Sequence, residues 1–280
     1  VIAQGALKMN EQLKNFIEAP VFQGTDFEKL WDIFDGAVYV NLKHRTDRKK
    51  RVLKEFESIN IKPQRFEGCY FNEQELKEFG LKLKNKINVA NFNLSMLKVV
   101  SEAKRLKLKN ILIFEDDCIF DKEKLLETIP HLQELKNVKW DLFYLGGGLN
   151  PFDNSVNKVS ENLYSVKLGL YQTHAYAINS SFYDAILRDV LRRAQGFAMD
   201  NWFACNYVNK KVITIKRPVA FQEIGFSDIQ NSYRPNDKMT RDIETHEKFI
   251  SGEGEPLEYN KRNEKEKKID PITGLKNEAN

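Results

Sequence analysis

The chain has 280 residues, 41% hydrophobic and 30% charged, enough for one large α/β domain or two small ones around a substantial core. No apolar run approaches the roughly 18 residues a membrane span needs, and residues 1–10 show neither the basic start nor the long apolar centre of a secretory leader. The net charge of +4 is a small difference between 44 basic and 40 acidic residues, interleaved throughout, which gives no support to a nucleic-acid surface. Cys69, Cys118 and Cys205 are odd in number and widely spaced, which argues against a disulfide framework or a structural zinc site and suits a reducing, cytoplasmic compartment.

Apolar residues at helical spacing, Leu7, Leu13, Phe16 and Ile17, then Leu30, Trp31, Ile33 and Phe34, predict a helical extension over residues 1–36 that packs on the main domain. Residues 37–42 form a short apolar strand running into a polar stretch. A helix comes next, capped by Thr46 or Asp47 and burying Val52, Leu53, Phe56 and Ile59. A second strand edge is expected over 65–70, a helix over 90–106, the central strand over 110–120 and a helical stretch over 125–135. Residues 141–145 form another strand, closed by Gly146, Gly147 and Gly148, where a backbone must turn tightly or approach a ligand closely.

Strand-like runs over 163–168 and 173–178 precede helices over 180–192 and about 200–208, and 212–215 is a last short strand. From about Tyr233 the chain turns polar, and 258–280 are rich in Lys, Glu and Asn, as in a mobile tail or linker. Strands alternating with helices predict an α/β fold, a mostly parallel central sheet with helices on both faces.

The most informative stretch is Ile111-Leu-Ile-Phe114 followed by Glu115, Asp116 and Asp117. A buried strand ending in three acids delivers its carboxylates at the carboxyl edge, where open α/β sheets bind ligands and adjacent acids grip a divalent cation and, through it, a phosphate. Glu115 and Asp117, as alternate residues of one strand, face the same cavity. A strand running into a solvated acidic turn is the competing reading. Asn41, at the first strand's end, either reads a base or ribose or simply terminates the strand. His174 reads as a satisfied interior residue, and Trp202 or Tyr176 either stacks on a sugar face or fills the core.

Six segments carry a further signal in their order: Val38-Tyr-Val-Asn-Leu-Lys-His-Arg-Thr-Asp-Arg48; Asn93-Leu-Ser95 leading to Phe114-Glu-Asp-Asp117; Asp141 to Gly147; Thr173-His-Ala-Tyr-Ala-Ile178; Met199-Asp-Asn-Trp202; and Pro218-Val-Ala-Phe-Gln222 with Phe226-Ser-Asp-Ile229. Together, over residues 37–230, they resemble the family 25 glycosyltransferases, which include bacterial lipooligosaccharide galactosyltransferases and procollagen galactosyltransferases. The resemblance implies a GT-A fold with a Rossmann-like sheet, a nucleotide-sugar donor, usually Mn²⁺ (or Mg²⁺), and transfer with inversion. It sets the domain at 37–232, between the extension (1–36) and a polar, partly disordered tail (233–280). Two positions depart from the pattern: Ser95-Met96 stands where bacterial members commonly carry Ser-His, and Gln222 where many GT-A enzymes bring a histidine to the metal.

On this resemblance Asp117 is the main metal ligand, with Glu115 on the metal or the donor's ribose and Gln222 as a third ligand. Asp116 contacts the sugar or stands behind the other two. Asn41, Arg45 and Arg48 bind the donor, the arginines through forked bonds to phosphate or hydroxyl. Asp200 is the base that takes the acceptor hydroxyl's proton, its rival role being a helix cap. Ser227 and Asp228 stabilise a loop near the acceptor side. UDP-galactose leads UDP-glucose as donor, and the acceptor is an oligosaccharide or a hydroxylysine-bearing protein, in lipopolysaccharide biosynthesis or collagen glycosylation; peripheral membrane contact is compatible with either. Two other classes compete. A Mg²⁺-binding receiver-like phosphotransfer domain would need a phospho-accepting aspartate where the strand over 141–145 instead meets Gly146. An inactive sugar-binding scaffold would be indifferent to loss of Asp117.

Overall fold

The computed structural model describes residues 11–22, 30–81, 83, 87–149, 155–167, 170–193, 198–206, 210–229, 232–234 and 243–251. Its first half runs α1 (Glu11–Glu18), β1 (Ala37–Asn41), α2 (Thr46–Ser58), β2 (Gln64–Glu67), α3 (Glu73–Glu78), α4 (Ile87–Arg105), β3 (Asn110–Glu115), β4 (Cys118–Phe120), α5 (Lys122–Thr128), a 3-10 helix (Ile129–Asn137) and β5 (Leu142–Tyr144). The second half begins with β6 (Gly148–Leu149), β7 (Asn157–Lys158), β8 (Leu163–Val166), β9 (Leu170–Tyr171), β10 (Ala175–Asn179), α6 (Ser180–Arg193) and α7 (Met199–Asn206). The chain closes with β11 (Val212–Ile215), β12 (Ala220–Gln222), β13 (Gly225–Ser227), β14 (Ser232–Arg234) and α8 (Ile243–Ile250).

Eight strands form one sheet in the order β2-β1-β3-β10-β5-β11-β8-β7. β2, β1 and β3 are parallel, and so are β5 and β11; β10 lies antiparallel between β3 and β5, so these five point one way. β8 opposes β11 and β7 opposes β8, leaving only β10 and β8 against the common direction. The mostly parallel sheet expected of a Rossmann-like, GT-A type domain is present.

Strand alternation divides the core in two. Val38, Val40, Ile111 and Ile113 face a cluster closed by α1, α4, α6 and α7, whereas Ala37, Tyr39, Leu112 and Phe114 face one closed by α2, α5 and the 3-10 helix. Each large side chain so buried contributes about 1.5–3 kcal/mol, and with both faces covered the central strands read as continuous apolar runs. α4 lies between the sheet and α1, so even its polar Asn91, Asn93, Ser95 and Glu102 are buried.

Several expectations give way to local physics. Leu30, Ile33 and Phe34 are buried but not helical: Trp31 and Asp32 take left-handed φ of 52° and 55°, and Leu30 bridges Phe34 across a tight turn. Such a turn shares the three-to-four-residue spacing of a helix. Leu7 lies outside the described residues. α2 is preceded by Arg45 with no side-chain cap, because the Asp47 carboxylate is bonded to the Arg45 guanidinium, and Leu53 is 42% exposed rather than buried. The expected 125–135 helix is α5 followed by a 3-10 segment; Pro130 has no N–H for an α-helical bond. The polar tail begins later than expected, since α8 buries Ile243 and His246; residues 258–280 lie outside the described residues.

The 110–120 strand is broken. β3 stops at Glu115, Asp116 and Asp117 form a turn, and β4 leaves the sheet to pair with β12. Glu115 and Asp117 are therefore not alternate residues of one strand. The close approach expected at Gly146 is made to the chain's own backbone: a Cβ there would lie 1.9 Å from the Ala220 carbonyl oxygen. Gly146→Ala should therefore cost about 3 kcal/mol, measured as a lowered urea midpoint at unchanged slope.

Glu102 anchors the N-terminal segment. Its carboxylate accepts the Val21 and Phe22 N–H groups at 3.2 and 2.9 Å and the Arg105 guanidinium. Burial disfavours its charge, but the bonds from Arg105, Phe22 and Val21 prevail and lower its pKa. A depressed carboxylate gives stability that is present above its unfolded pKa and lost as pH falls through the folded value. The Tm of the wild-type chain should thus fall more steeply below about pH 4 than that of Glu102→Gln in parallel thermal melts.

Candidate active site

The site begins where β1 and β3 end side by side, with Val40 opposite Glu115. One residue past Val40, the buried Asn41 donates from Nδ2 to Asp116 Oδ2 (2.8 Å) and the Arg45 carbonyl (3.0 Å), while its Oδ1 accepts from Arg65 Nε (3.1 Å). Its amide is thus committed to protein groups. Asn41 thereby orients Asp116.

Arg48, one turn into α2, points back over the same edge. Its Nη1 donates to Asp116 Oδ1 (2.9 Å) and Asp117 Oδ2 (3.3 Å), and its Nη2 to the Phe226 carbonyl. All three side chains are buried. Burial disfavours the guanidinium, yet the charges of Asp117 and Asp116 outweigh it and raise the Arg48 pKa. For Asp116, burial is the larger influence and lifts its carboxyl above the ordinary value despite Arg48 and Asn41. Removing one partner of such a buried pair typically costs about 3–5 kcal/mol. Asp117 Oδ1 is buried without a hydrogen-bond partner, and the Asp117 carbonyl accepts from Glu223 N (2.7 Å), tying the turn to the end of β12.

A second set of hydrogen bonds centres on residues 172–174. Gln172 N–H donates to Asp200 Oδ2 (3.2 Å), Gln172 Nε2 to Gln222 Oε1 (3.0 Å) and Thr173 Oγ1 to Glu115 Oε1 (2.6 Å). His174, fully buried, donates from Nε2 to the Ala220 carbonyl (2.9 Å). Asp200 sits in the first turn of α7, where its Oδ1 accepts from Asn201 N (2.7 Å). Three short segments thereby join Asp200, Gln222 and Glu115, which are far apart in sequence.

Residues 226–229 form a wall of the site. Besides the Phe226 carbonyl on Arg48, Asp228 accepts the Arg45 guanidinium through its carboxylate and Asn88 Nδ2 through its carbonyl (2.6 Å). Arg45 thus bonds Asp47 and Asp228, and Arg48 bonds Asp116, Asp117 and the Phe226 carbonyl. A cavity of about 210 Å³ opens between this segment, α4 and the strand ends, lined by Arg48, Ser95, Glu115, Asp116, Asp117 and Phe226 among others. His44 and Tyr70 stand at its rim with ring centroids 4.8 Å apart, Tyr70 being 69% exposed. Asn91 bonds both the N–H and the carbonyl of Phe71, and Ser95 accepts from Cys69 N, so α4 fixes the backbone beneath the rim. Burial pushes the Cys69 thiol up to about 11, which leaves it protonated and unsuited to act as a nucleophile.

A family model described as glycosyltransferase family 25 (LPS biosynthesis protein) matches residues 36–202. The chain belongs to glycosyltransferase family 25. Procollagen galactosyltransferase 1-A of Xenopus laevis is 28% identical over 129 residues, covering 40% of this chain and 21% of that protein; form 1-B is 27% identical over 129 residues. The chain thus spans about a fifth of the length of these curated relatives. Solved structures that align with it include a UDP-glucose pyrophosphorylase complexed with UDP-glucose, at TM-score 0.38 and 8% identity over 82% of this chain and 98% of that one. Another is A197 from STIV, at TM-score 0.34 and 12% identity over 74% and 97%.

In this family 25 chain the fold brings Asn41, Arg48, Asp116 and Asp117 into one hydrogen-bonded group, and Glu115, Gln222 and Asp200 into another. Asp228 lines the cavity and accepts the Arg45 guanidinium. Tyr176 and Trp202 are core residues: Tyr176 stacks on Tyr144, and Trp202 on Phe182. Met96, at the position where bacterial relatives were expected to carry histidine, is buried with its sulfur 3.2 Å from the Tyr176 hydroxyl. Arg65, Asn88, Gln172 and Thr173 were missed; only Thr173 lies in a motif, and no spacing marks the others. Asn41→Leu strands the Asp116, Arg65 and Arg45 groups it now satisfies, and should lower stability by about 2 kcal/mol in urea titrations.

Proposed function

We propose that this chain transfers a hexose, galactose in preference to glucose, from a UDP-sugar to a hydroxyl acceptor, with inversion and with the help of a divalent cation. The observation that carries this reading is Asp117 Oδ1, a buried carboxylate oxygen without a hydrogen-bond partner on a residue lining the cavity at the carboxyl edge of a mostly parallel sheet. Such an oxygen suits a hard cation. Among the described residues no group of three or more His, Cys, Asp or Glu side chains gathers to hold a metal alone. The fit is therefore to an ion that shares its coordination with a diphosphate, as Mg²⁺ sites with one or two carboxylates do. Asp117 and Glu115 would hold it, and when bound it supplies positive charge to the departing diphosphate.

The chain's own residues do the rest. Arg48 offsets the acids, so that the cluster is not left as three uncompensated charges beside an anionic donor. Asp200, whose two oxygens each accept a backbone N–H, sits in the first turn of α7. It takes the proton from the acceptor hydroxyl as the oxygen attacks the sugar carbon. The names of the Xenopus laevis relatives favour galactose as the sugar and a collagen-like protein as acceptor, and the family description favours a glycan of lipopolysaccharide. The free, buried thiols of Cys69 and Cys118 accord with a reducing, cytoplasmic setting; no described helix is long and apolar enough to cross a membrane.

Thermal-shift titration with UDP-galactose, UDP-glucose and UDP, each with Mn²⁺ or chelator, tests the donor and metal together. Wild type should be stabilised only with metal present, and Asp117→Ala should lose that response. Asp200→Asn should keep it while turnover falls at least about 100-fold. Undiminished turnover in Asp200→Asn would remove the base assignment, and metal-independent stabilisation would remove the cation.

A further inference from the structure

The segment between β9 and β10 holds a residue that no motif announces. Gln172 adopts a left-handed backbone conformation at φ 69°, unusual for a residue with a side chain. Such a conformation persists only where its surroundings enforce it. Here it turns the Gln172 N–H toward Asp200 Oδ2 while the side-chain amide reaches the opposite way to Gln222 Oε1. On either side the backbone is pinned: Tyr171 pairs with Gly148, and the His174 carbonyl accepts from Glu115 N.

We infer that Gln172 is the positioning residue for Asp200, holding that carboxylate at a fixed place relative to the acidic edge of the sheet through its bond to Gln222. The inference rests on the reading of Asp200 as the base for its catalytic meaning, though not for its geometry. Gln222 is anchored in turn, because β12 pairs with β4 immediately after the Asp116–Asp117 turn, with Gln222 opposite Cys118. The line Asp200, Gln172, Gln222, β4, Asp117 therefore connects the group that receives a proton to the group beside the leaving diphosphate. A transfer reaction needs these two ends at a set separation, and misplacement of about 1 Å can cost on the order of 100-fold in rate. Without its Gln222 anchor, Gln172 is free to relax its φ and turn the N–H from Asp200. Asp200 would then lose the backbone hydrogen bond that fixes its Oδ2.

The test follows the Asp200 carboxyl carbon by NMR at one neutral pH in the full, Asp-labelled chain, with Asp200→Asn to assign the signal. Gln172→Met and Gln222→Met each remove the amide bond from one side at nearly constant volume. Both should shift the Asp200 signal in the same direction, and the double variant should add little to either. An Asp200 signal unmoved by either Met variant in folded protein overturns the inference, whatever the turnover. UDP release from UDP-galactose gives the catalytic counterpart: kcat should fall about 10-fold or more in both Met variants with donor KM within about twofold. Full turnover in Asp200→Asn would defeat the base assignment alone and leave the NMR result standing.

Discussion

Two carboxylates buried at the end of the central strand, held by one arginine, are the constraint around which this structure is arranged. Asp116 and Asp117 lie out of water, where an unpaired charge is costly. Arg48 meets that need because α2 begins straight after β1, which lies beside β3. The same guanidinium uses its remaining nitrogen on the Phe226 carbonyl, so satisfying the acids also brings in a segment nearly two hundred residues later in the chain. Asn41 and Arg65 complete the arrangement from the neighbouring strands. The polar interior of the site is thus a consequence of strand order: β2, β1 and β3 are adjacent, and each contributes its carboxyl end.

The opposite side of the site depends on backbone proximity rather than charge. Gly146 allows β5 to run against Ala220, and His174 bonds the same carbonyl, so three chain segments meet where a single extra methyl group would not fit. β12 is thereby fixed, and with it Gln222. The antiparallel β10 then carries the 172–174 segment back to the edge on which Glu115 ends. A wholly parallel sheet would have sent that connection to the other edge; reversing one strand places the Asp200 side of the site against the acidic side.

Much of this was legible in the sequence where one physical cause acts alone. Continuous apolar runs marked β1, β3 and β10, because strands covered on both faces have no polar side to show, and the amphipathic stripe of α2 marked its buried face at Val52 and Phe56. The acidic triplet does stand at the carboxyl edge of the sheet, where β1 and β3 end side by side. What could not be read was partnership. That Asn41 and Arg48 bond Asp116, and Arg45 bonds Asp228, was not legible, because a side chain's type states what it can bond while the identity of its partners depends on which strands become neighbours. The break after Glu115 was hidden for the same reason: Cys118 to Phe120 is as strand-like as the residues before it, and only its pairing with Ala220 to Gln222 takes it out of the sheet. Gln172 carries no mark at all, since its role lies in a backbone torsion and an N–H that every residue but proline possesses.

The rim of the cavity obeys a different rule from its interior. Asn91 and Ser95 hold residues 69–71 through main-chain atoms, so the loop's path does not depend on the side chain at position 70. Tyr70 and its neighbour His44 project from a frame that is complete without them. Substitutions at these two positions can therefore change the surface that an incoming molecule first meets while the fold, the acids and their arginine stay as they are. In this architecture the mouth of the cavity can vary in sequence without rebuilding its floor.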